Sequence, residues 1–447
     1  MKISIKNNNL LKVIFFFIPL SFCIGQAAVT LVFLCTVLFF LINKNILFLY
    51  NDPIKILLIV YFFSLIFGSF FSININQSLY SSVTYIRFLI FFSFIHLFDD
   101  VFKKKIQHNF FLWSFFLASI IITDAYFQYF NPSKEDIFGF KADLANSGRL
   151  TSIFGNELIV GSVLYNLFFT ATIFFIFFIK NKIKISTFKN NVLIIFTIVI
   201  YLSSIFLSGD RMPFLMTISS FFLLFFFLNN FRLNLFIALV IFLCFFIFQI
   251  INNDYFSSRY RAFVNEISKK EIKIENNFSM KKNFFDSQWG AHFLTGFEIF
   301  KNNSYFGIGL KQFKIECSSK TYDNINSAYR FGRCSNHPHN LYIEMLAETG
   351  VFSTLIFIFF IFYFFIRCLK VIFNQKIKLY YNTYEYVIFI SFFTVNILTF
   401  FPIRSSGSFF SNFAGALIWF NLSFLFIYLK NFENILKKNN KVIKKQF

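Results

Sequence analysis

Long runs of apolar residues alternate with short polar segments along nearly the whole of this 447-residue chain. Most runs are long enough to cross about 30 Å of hydrocarbon as an α-helix. The pattern therefore predicts an all-α polytopic membrane protein with about twelve transmembrane helices. The predicted helices lie near residues 13–25, 28–42, 55–72, 80–98, 109–127, 157–179, 191–207, 212–228, 233–251, 342–366, 385–401 and 408–429.

The N-terminal region is similar to a signal peptide, because lysines precede the apolar run Val13–Ile24 and small residues follow it. A second apolar run, Val29–Ile42, follows at once. This continuity favours a tight hairpin of two short helices, although cleavage of the first run stays open at this point.

Composition agrees with a membrane protein. Hydrophobic residues make up 57% of the chain and charged residues 14%, with a mean hydropathy of +0.64. Soluble domains carry about 25% charged residues, so a water-soluble fold is excluded. The net charge of +21 comes mostly from loops of one side, so it does not indicate nucleic-acid binding.

The distribution of basic residues predicts the orientation. With the N-terminus inside, the loops and termini of the inner side hold 23 of the 42 Lys and Arg residues, and the short outer loops hold five. Positive charge is enriched in cytoplasmic loops, so this asymmetry predicts that the N-terminus lies on the cytoplasmic side. The tail from Lys430 is expected to be a solvated cytoplasmic end that touches anionic lipid.

One extramembrane segment is long enough to form structure of its own. The chain divides into helices 1–9 over residues 1–251, a large outer loop over 252–340, and helices 10–12 with a basic tail over 341–447. Cys317 and Cys334 are the two cysteines of this loop, and an oxidising compartment predicts a disulfide between them.

Two ionisable residues are predicted at membrane depth, where charge is costly and therefore suggests function. Arg87 lies in the outer half of the fourth span, and Asp124 near the outer end of the fifth. A purely structural Arg87–Asp124 pair is the alternative.

Further charged residues fall at the outer boundary of several spans, namely Arg149, Asp210, Arg211 and Arg404. Planar guanidinium groups match phosphate oxygens, so their convergence on one side indicates a diphosphate site. Arginines that merely reach toward lipid head groups are the alternative for each one alone.

The segment His337-Pro338-His339-Asn340 precedes the tenth span. Pro338 suits the first turn of a helix, which would place His339 and Gly350 on one helical stripe. The histidines could cap the helix, act in catalysis or ligate zinc, and no third ligand of suitable spacing is apparent.

Four stretches together resemble the O-antigen ligase family, which also includes related polymerases. The His339-Asn340 pair and Gly350 resemble the family's His-Asn-x9-Gly signature, and the other three stretches are Arg149–Asn156, Ser208–Arg211 and Tyr305–Leu310. Glu157 and Tyr305 depart from the family pattern, since both stand where Pro is usual.

The resemblance implies a metal-independent glycosyltransferase without a cofactor. It would move a glycan from undecaprenyl diphosphate to lipid A-core, in lipopolysaccharide biosynthesis, on the periplasmic side of the bacterial inner membrane. The large outer loop would then be a periplasmic loop. His339 would be the general base, and Arg149 and Arg211 would stabilise the departing diphosphate. Four further residues are expected to bind substrate: Arg87, Arg404, Asn340 and Asp210.

Two alternatives remain open. A polysaccharide polymerase would use the same lipid-linked donor with a glycan acceptor. A transporter of lipid-linked oligosaccharide is less favoured, because transporters place charged groups and broken helices near the midplane.

Overall fold

The computed structural model describes residues 8–43, 52–131, 133–139, 141, 149–182, 186–267, 271–274, 278–281 and 284–444. Within these ranges, twelve apolar helices or helix pairs cover the predicted spans. Of these described helices, seven are long and apolar enough to cross a membrane, and five are shorter apolar helices of 10–17 residues. The protein is therefore a polytopic helical membrane protein.

The helices before the large loop are α1 (Asn8–Ile24), α2 (Gln26–Asn43), α3 (Pro53–Ser69), α4 (Ile75–Tyr85), α5 (Arg87–Val101), α6 (Lys104–Phe130), α7 (Val160–Val163), α8 (Phe169–Lys182), α9 (Thr187–Leu207), α10 (Arg211–Phe227) and α11 (Arg232–Asn252). The predicted hairpin of two short helices is confirmed, since α1 and α2 meet at Gly25, which has φ 124°.

The loop contains α12 (Asp254–Ile267), strands β1 (Glu271–Ile274) and β2 (Phe278–Lys281), α13 (Gln288–Asn302) and α14 (Phe313–Glu316). The strands pair antiparallel, with Glu271 opposite Lys281. Then follow α15 (Leu341–Ile372), α16 (Tyr384–Thr399) and α17 (Asn412–Lys444). We call the end of the bundle that carries residues 253–340 the loop end.

Three of the predicted spans are interrupted among the described residues, including the tenth at Gly350 in α15. The fourth is broken at Ile86 into α4 and α5. The sixth contains a π-helical turn, Leu164–Phe168, between α7 and α8. Such turns disturb the regular hydrogen-bond ladder, and here Tyr201 Oη donates to Leu164 O and Asn421 Nδ2 to Asn166 O. Side chains of α9 and α17 thus satisfy carbonyl groups of the disturbed turn.

The helix after the histidine motif differs from the prediction. It begins at Leu341 with Asn340 as its N-cap, so Pro338 lies before the helix and not in its first turn. Gly350 has φ 66° and kinks α15. The predicted helical stripe from His339 to Gly350 is therefore wrong, because one residue precedes the helix and the other breaks it.

The opposite end of the bundle carries an ion-pair network. Arg367 donates to Asp52 at 2.7 Å and to Glu433 at 2.5 Å, and Lys430 Nζ lies 2.7 Å from Asp52. Burial raises the pKa of Asp52, but hydrogen bonds from Arg367 and Lys430 outweigh it and bring that pKa to about 2. The expectation of a solvated tail from Lys430 is wrong at its start, because α17 continues and Phe432 is buried.

Candidate active site

His339 has a backbone conformation that few non-glycine residues adopt. Its φ is 57°, and such left-handed residues cost about 1–2 kcal/mol unless their surroundings hold them. Here the His339 carbonyl accepts a hydrogen bond of 2.8 Å from the Ser406 amide. Strained residues of this kind cluster at functional sites, so the conformation marks His339 as a candidate.

Asn340 holds the histidine from the other side. Its Oδ1 caps α15 by accepting from the amides of Tyr342 and Ile343, at 3.0 and 3.1 Å. Its Nδ2 donates to the carbonyls of Pro402 and Arg404. The side chain is buried and its hydrogen-bonding groups are used within the protein, so this geometry gives Asn340 a positioning role.

Three histidine rings lie together at the start of α15. The ring centroid of His339 is 4.2 Å from that of His337 and 5.2 Å from that of His292. Trp289 meets His339 edge to face at 4.7 Å. Trp289 and His292 lie three residues apart on α13, so this loop helix supplies one wall around His339.

Two of these imidazoles are fixed by backbone carbonyls. His337 Nε2 lies 3.1 Å from Ser406 O, and His292 Nδ1 lies 2.7 Å from Arg333 O. A carbonyl oxygen can only accept, so each of these nitrogens carries a hydrogen. No described residue hydrogen-bonds a ring nitrogen of His339, which leaves that ring for an incoming molecule.

The pKa of His339 is lowered to about 3. Burial is the largest cause, and the neighbouring His337 and His292 contribute in the same direction. Burial also lowers the pKa of His337. Both rings are therefore neutral at pH 7. The lone pair of His339 can accept a proton, but the same burial makes it a weaker base than an ordinary histidine.

Arg404 lies in the connection between α16 and α17, close to this cluster. Its guanidinium group is half-buried, and Nη1 contacts Met216 Sδ of α10 at 3.2 Å. Its Nε has no hydrogen-bond partner and no carboxylate pairs with it among the residues that the structure describes. Burial lowers the pKa of Arg404 to about 10, so the group remains a cation at pH 7.

Asp210, at the turn between α9 and α10, is paired with Arg149 of the segment before α7. Arg149 forms an ion pair with the buried Asp210, and its Nη2 also donates to Leu158 O at 2.5 Å. Asp210 Oδ2 accepts from the Gly161 amide at 2.9 Å. Asp210 thus ties three segments together and neutralises Arg149, while Arg211, half-buried, begins α10 one residue later.

Arg87 and Asp124 are not paired. Asp124 accepts from Ser152 Oγ at 2.6 Å and from the Ile137 amide at 2.9 Å. Arg87 instead lies over the rings of Phe33 and Phe88, at 5.5 and 5.1 Å. The structural pair considered from the sequence is therefore wrong.

The glycine-rich stretch of the loop fits into the kink of α15. The amides of Ile308 and Gly309 donate to the carbonyls of Ala347 and Glu348, at 3.0 and 2.9 Å. A Cβ atom on Gly350 would lie 2.3 Å from Tyr305 O, and one on Gly307 would lie 2.4 Å from the Glu348 backbone. Only glycine permits this approach, so two of the motifs are one structural unit.

Two buried glutamates, one helical turn apart on α15, hold outer segments in place. Glu348 accepts from the amides of Lys311 and Phe313, at 2.8 and 3.2 Å. Glu344 accepts from the Phe409 amide at 2.8 Å and from Ser408 Oγ. Their buried carboxylates therefore position the loop and the α16–α17 connection around the site.

The predicted disulfide between Cys317 and Cys334 is present, with Cα atoms 5.3 Å apart. Arg333 strengthens the same region, because Nε donates to Cys317 O and Nη2 to Asp323 Oδ1 at 2.8 Å. Its own carbonyl binds His292. The disulfide-bonded segment is thus connected directly to the histidine cluster.

Sequence reasoning missed His292 and Trp289, because a lone histidine in a loop carries no signal until the fold brings it to His339. It also missed the two glutamates, although their spacing of four on an apolar helix was visible. Within the described ranges, no group of three or more His, Cys, Asp or Glu side chains has the arrangement of a metal site.

In the part of the chain that the structure describes, the bundle and the histidine cluster at its loop end define a membrane protein with a polar site at that end. Residues 196–358 match the family model described as O-antigen ligase. This stretch runs from α9 into α15 and includes Arg211, the large loop and His339. The resemblance seen in the motifs is thereby confirmed, and the match supports membership of the O-antigen ligase family. A search of curated proteins found no match.

Proposed function

We propose that this protein is an O-antigen ligase-type glycosyltransferase. It moves a glycan from undecaprenyl diphosphate to lipid A-core at the periplasmic side of the bacterial inner membrane. The observation that carries the proposal is the neutral, strained His339 within a stretch that matches the family.

In the proposed reaction, an acceptor hydroxyl oxygen forms a bond to the anomeric carbon of the donor. The bond from that carbon to the diphosphate oxygen breaks, and the diphosphate leaves with the bonding electrons. His339 takes the proton of the hydroxyl group, which is general-base catalysis. No metal or cofactor is needed for this proton and charge balance.

Negative charge grows on the diphosphate as it leaves and must be stabilised. Arg404 is best suited, because its half-buried cation has no carboxylate among the described residues. Arg211 and Arg87 are further candidates at the same end of the bundle. Arg149 is already neutralised by Asp210, so we assign that pair the role of shaping the site.

Transfer by the purified protein is the direct test. Lipid-linked glycan and lipid A-core are mixed with the wild type, His339→Ala or His339→Gln, with and without a chelator. We expect transfer by the wild type that survives chelation and falls by about a hundredfold or more in both variants, the range of general-base catalysis. Full activity in His339→Gln would refute the base, and loss on chelation would refute metal independence.

A polymerase uses the same donor chemistry, and the acceptor separates the two. Lipopolysaccharide from a deletion strain is compared with that of the parent on a gel. Lipid-linked long chains together with bare core support the ligase. Core that carries one repeat unit identifies a polymerase instead.

The periplasmic orientation is tested with single-cysteine variants and a membrane-impermeant thiol reagent. Position 300, near the end of α13, should label from outside when the outer membrane is permeabilised. Position 438, near the end of α17, should not. Labelling at position 438 alone would reverse the orientation.

A further inference from the structure

The large loop contains a cleft that is separate from the histidine cluster. It has a volume of about 450 Å³ and lies between the C-terminal half of α13 and the segment after Cys317. Ligand pockets typically have volumes of about 300–1,000 Å³. The side chains that define its chemistry are Phe285, Glu298, Asn302, Tyr322, Asn324 and Asn326.

The lining is suited to a neutral, hydroxyl-rich ligand. Each asparagine amide offers two donors and an acceptor, which complement hydroxyl groups. The ring of Phe285 offers an apolar surface for the C–H side of a sugar ring. No Lys or Arg is among the lining residues that the structure describes, and Glu298 is paired with Lys301 at 2.8 Å, so the lining carries little net charge.

The floor of the cleft is held in place before any ligand arrives. Tyr322 and Ile325 are buried in a small core of their own, which also contains Cys317. Tyr322 Oη donates to Glu316 at 3.2 Å. In contrast, the side chains of Asn324 and Asn326 are exposed, so they are available to a ligand.

The cleft lies within reach of the proposed reaction centre. His292, which contacts His339, is on the same helix as Glu298 and Asn302. With a rise of about 1.5 Å per residue, these two positions lie roughly 9 and 15 Å further along the helix axis. At about 100° of rotation per residue, Glu298 and Asn302 also lie on a different side of α13 from His292. A glycan of several sugars with one end at His339 must therefore bend around this helix to enter the cleft.

We propose that this cleft is a binding subsite for an oligosaccharide, occupied by sugars distant from the bond that is made or broken. The inference rests on the proposed glycosyl transfer and adds a site that recognises the glycan itself. Binding energy from such remote sugars lowers KM when it is realised equally in the ground state and the transition state.

The test uses the full-length purified protein with the double variant Asn324→Ala/Asn326→Ala. Ser318→Ala is the matched control, since Ser318 is exposed in the same disulfide-bonded segment but does not line the cleft. Two probes are used: oligosaccharide released by mild acid from the lipid-linked donor, and oligosaccharide released from lipid A-core. Binding of each is measured by titration calorimetry, and transfer is measured with donors carrying one sugar or a long glycan.

We expect the double variant to raise Kd for one probe, and KM for the matching long substrate, by about tenfold, as expected for the loss of one or two hydrogen bonds. The kcat value and transfer of the one-sugar donor should stay within about twofold of the wild type. The probe affected identifies whether the cleft holds donor or acceptor sugars.

Unchanged Kd and KM for both probes, in a protein that transfers normally, would overturn the subsite and leave the proposed function intact. Absence of transfer by the wild type would reject the function. In that case, a specific loss of oligosaccharide binding in the double variant would still support the cleft as a binding subsite. If the wild type bound neither oligosaccharide, the subsite would be rejected.

Discussion

The pH dependence of transfer is the sharpest test of His339. A general base works in its deprotonated form, so activity is present above its pKa and is lost as the pH falls through it. An ordinary histidine, with a pKa near 6.5, is only about 3% neutral at pH 5. If His339 were ordinary, kcat/KM would fall about thirtyfold between pH 8 and pH 5.

Burial and the two neighbouring imidazoles instead bring the pKa of His339 to about 3. At that pKa the ring is about 99% neutral at pH 5, so kcat/KM should be flat, within a few per cent, from pH 8 to pH 5. Because kcat/KM reports the free enzyme and kcat the complex, the two profiles should differ. An anionic diphosphate beside Arg404 favours the imidazolium form, so kcat should start to fall at a higher pH than kcat/KM.

The assay is steady-state transfer at saturating acceptor in detergent, over pH 5 to 8, with circular dichroism at each pH as the control for folding. His337 and His292 remain in place throughout, because their rings are fixed by backbone carbonyls. A thirtyfold fall in kcat/KM with a midpoint near pH 6.5, in a protein that stays folded, would refute the argument that His339 is desolvated.

Four other perturbations have expected outcomes. Arg404→Lys should keep normal protein levels but raise the donor KM or lower kcat by about tenfold or more. The reason is that the point charge of lysine cannot form two parallel hydrogen bonds with a diphosphate. Unchanged kinetics would remove Arg404 from the site. Asp210→Asn should lower the free energy of unfolding by on the order of 2 kcal/mol, as measured by thermal unfolding. This loss is smaller than for a fully buried ion pair, because Arg149 keeps 26% of its side chain exposed. Gly350→Ala should reduce the yield of folded protein, since its Cβ would lie 2.3 Å from a backbone oxygen at φ 66°; a normal yield would contradict the kink. Cys317→Ser should lower stability by about 3 kcal/mol, and a reducing agent should bring the wild type to the same melting temperature.

The helices were predictable because each needs only a local apolar run of sufficient length. The predicted span 191–207 ends at the same residue as α9 but starts four residues later, and 233–251 agrees with α11 to within one residue at each end. The breaks were not predictable from the same signal. Polar residues such as Arg87 and Asn166 lie at these breaks, but polar residues also lie within uninterrupted helices such as α6, so hydropathy does not distinguish regular from interrupted helix.

The site was predictable only where a motif carried it. The His339-Asn340 pair was found through the family signature, whereas His292 comes from a helix 47 positions earlier and had no signature of its own. The glycines were noted as two separate motifs. Their contact across the kink of α15 is a matter of three-dimensional approach, which spacing along the chain does not encode.

The arginines show why sequence could rank these residues only by position. Placement at the outer boundary made Arg149 and Arg404 equivalent, and the motif favoured Arg149. In the fold, Asp210 neutralises Arg149, whereas Arg404 lies half-buried beside a methionine sulfur with no carboxylate among the described residues. A cation held in that way is stabilised when an anion binds. Arg404 should therefore stabilise the departing diphosphate more than Arg149 does, although Arg149 is the one in the motif.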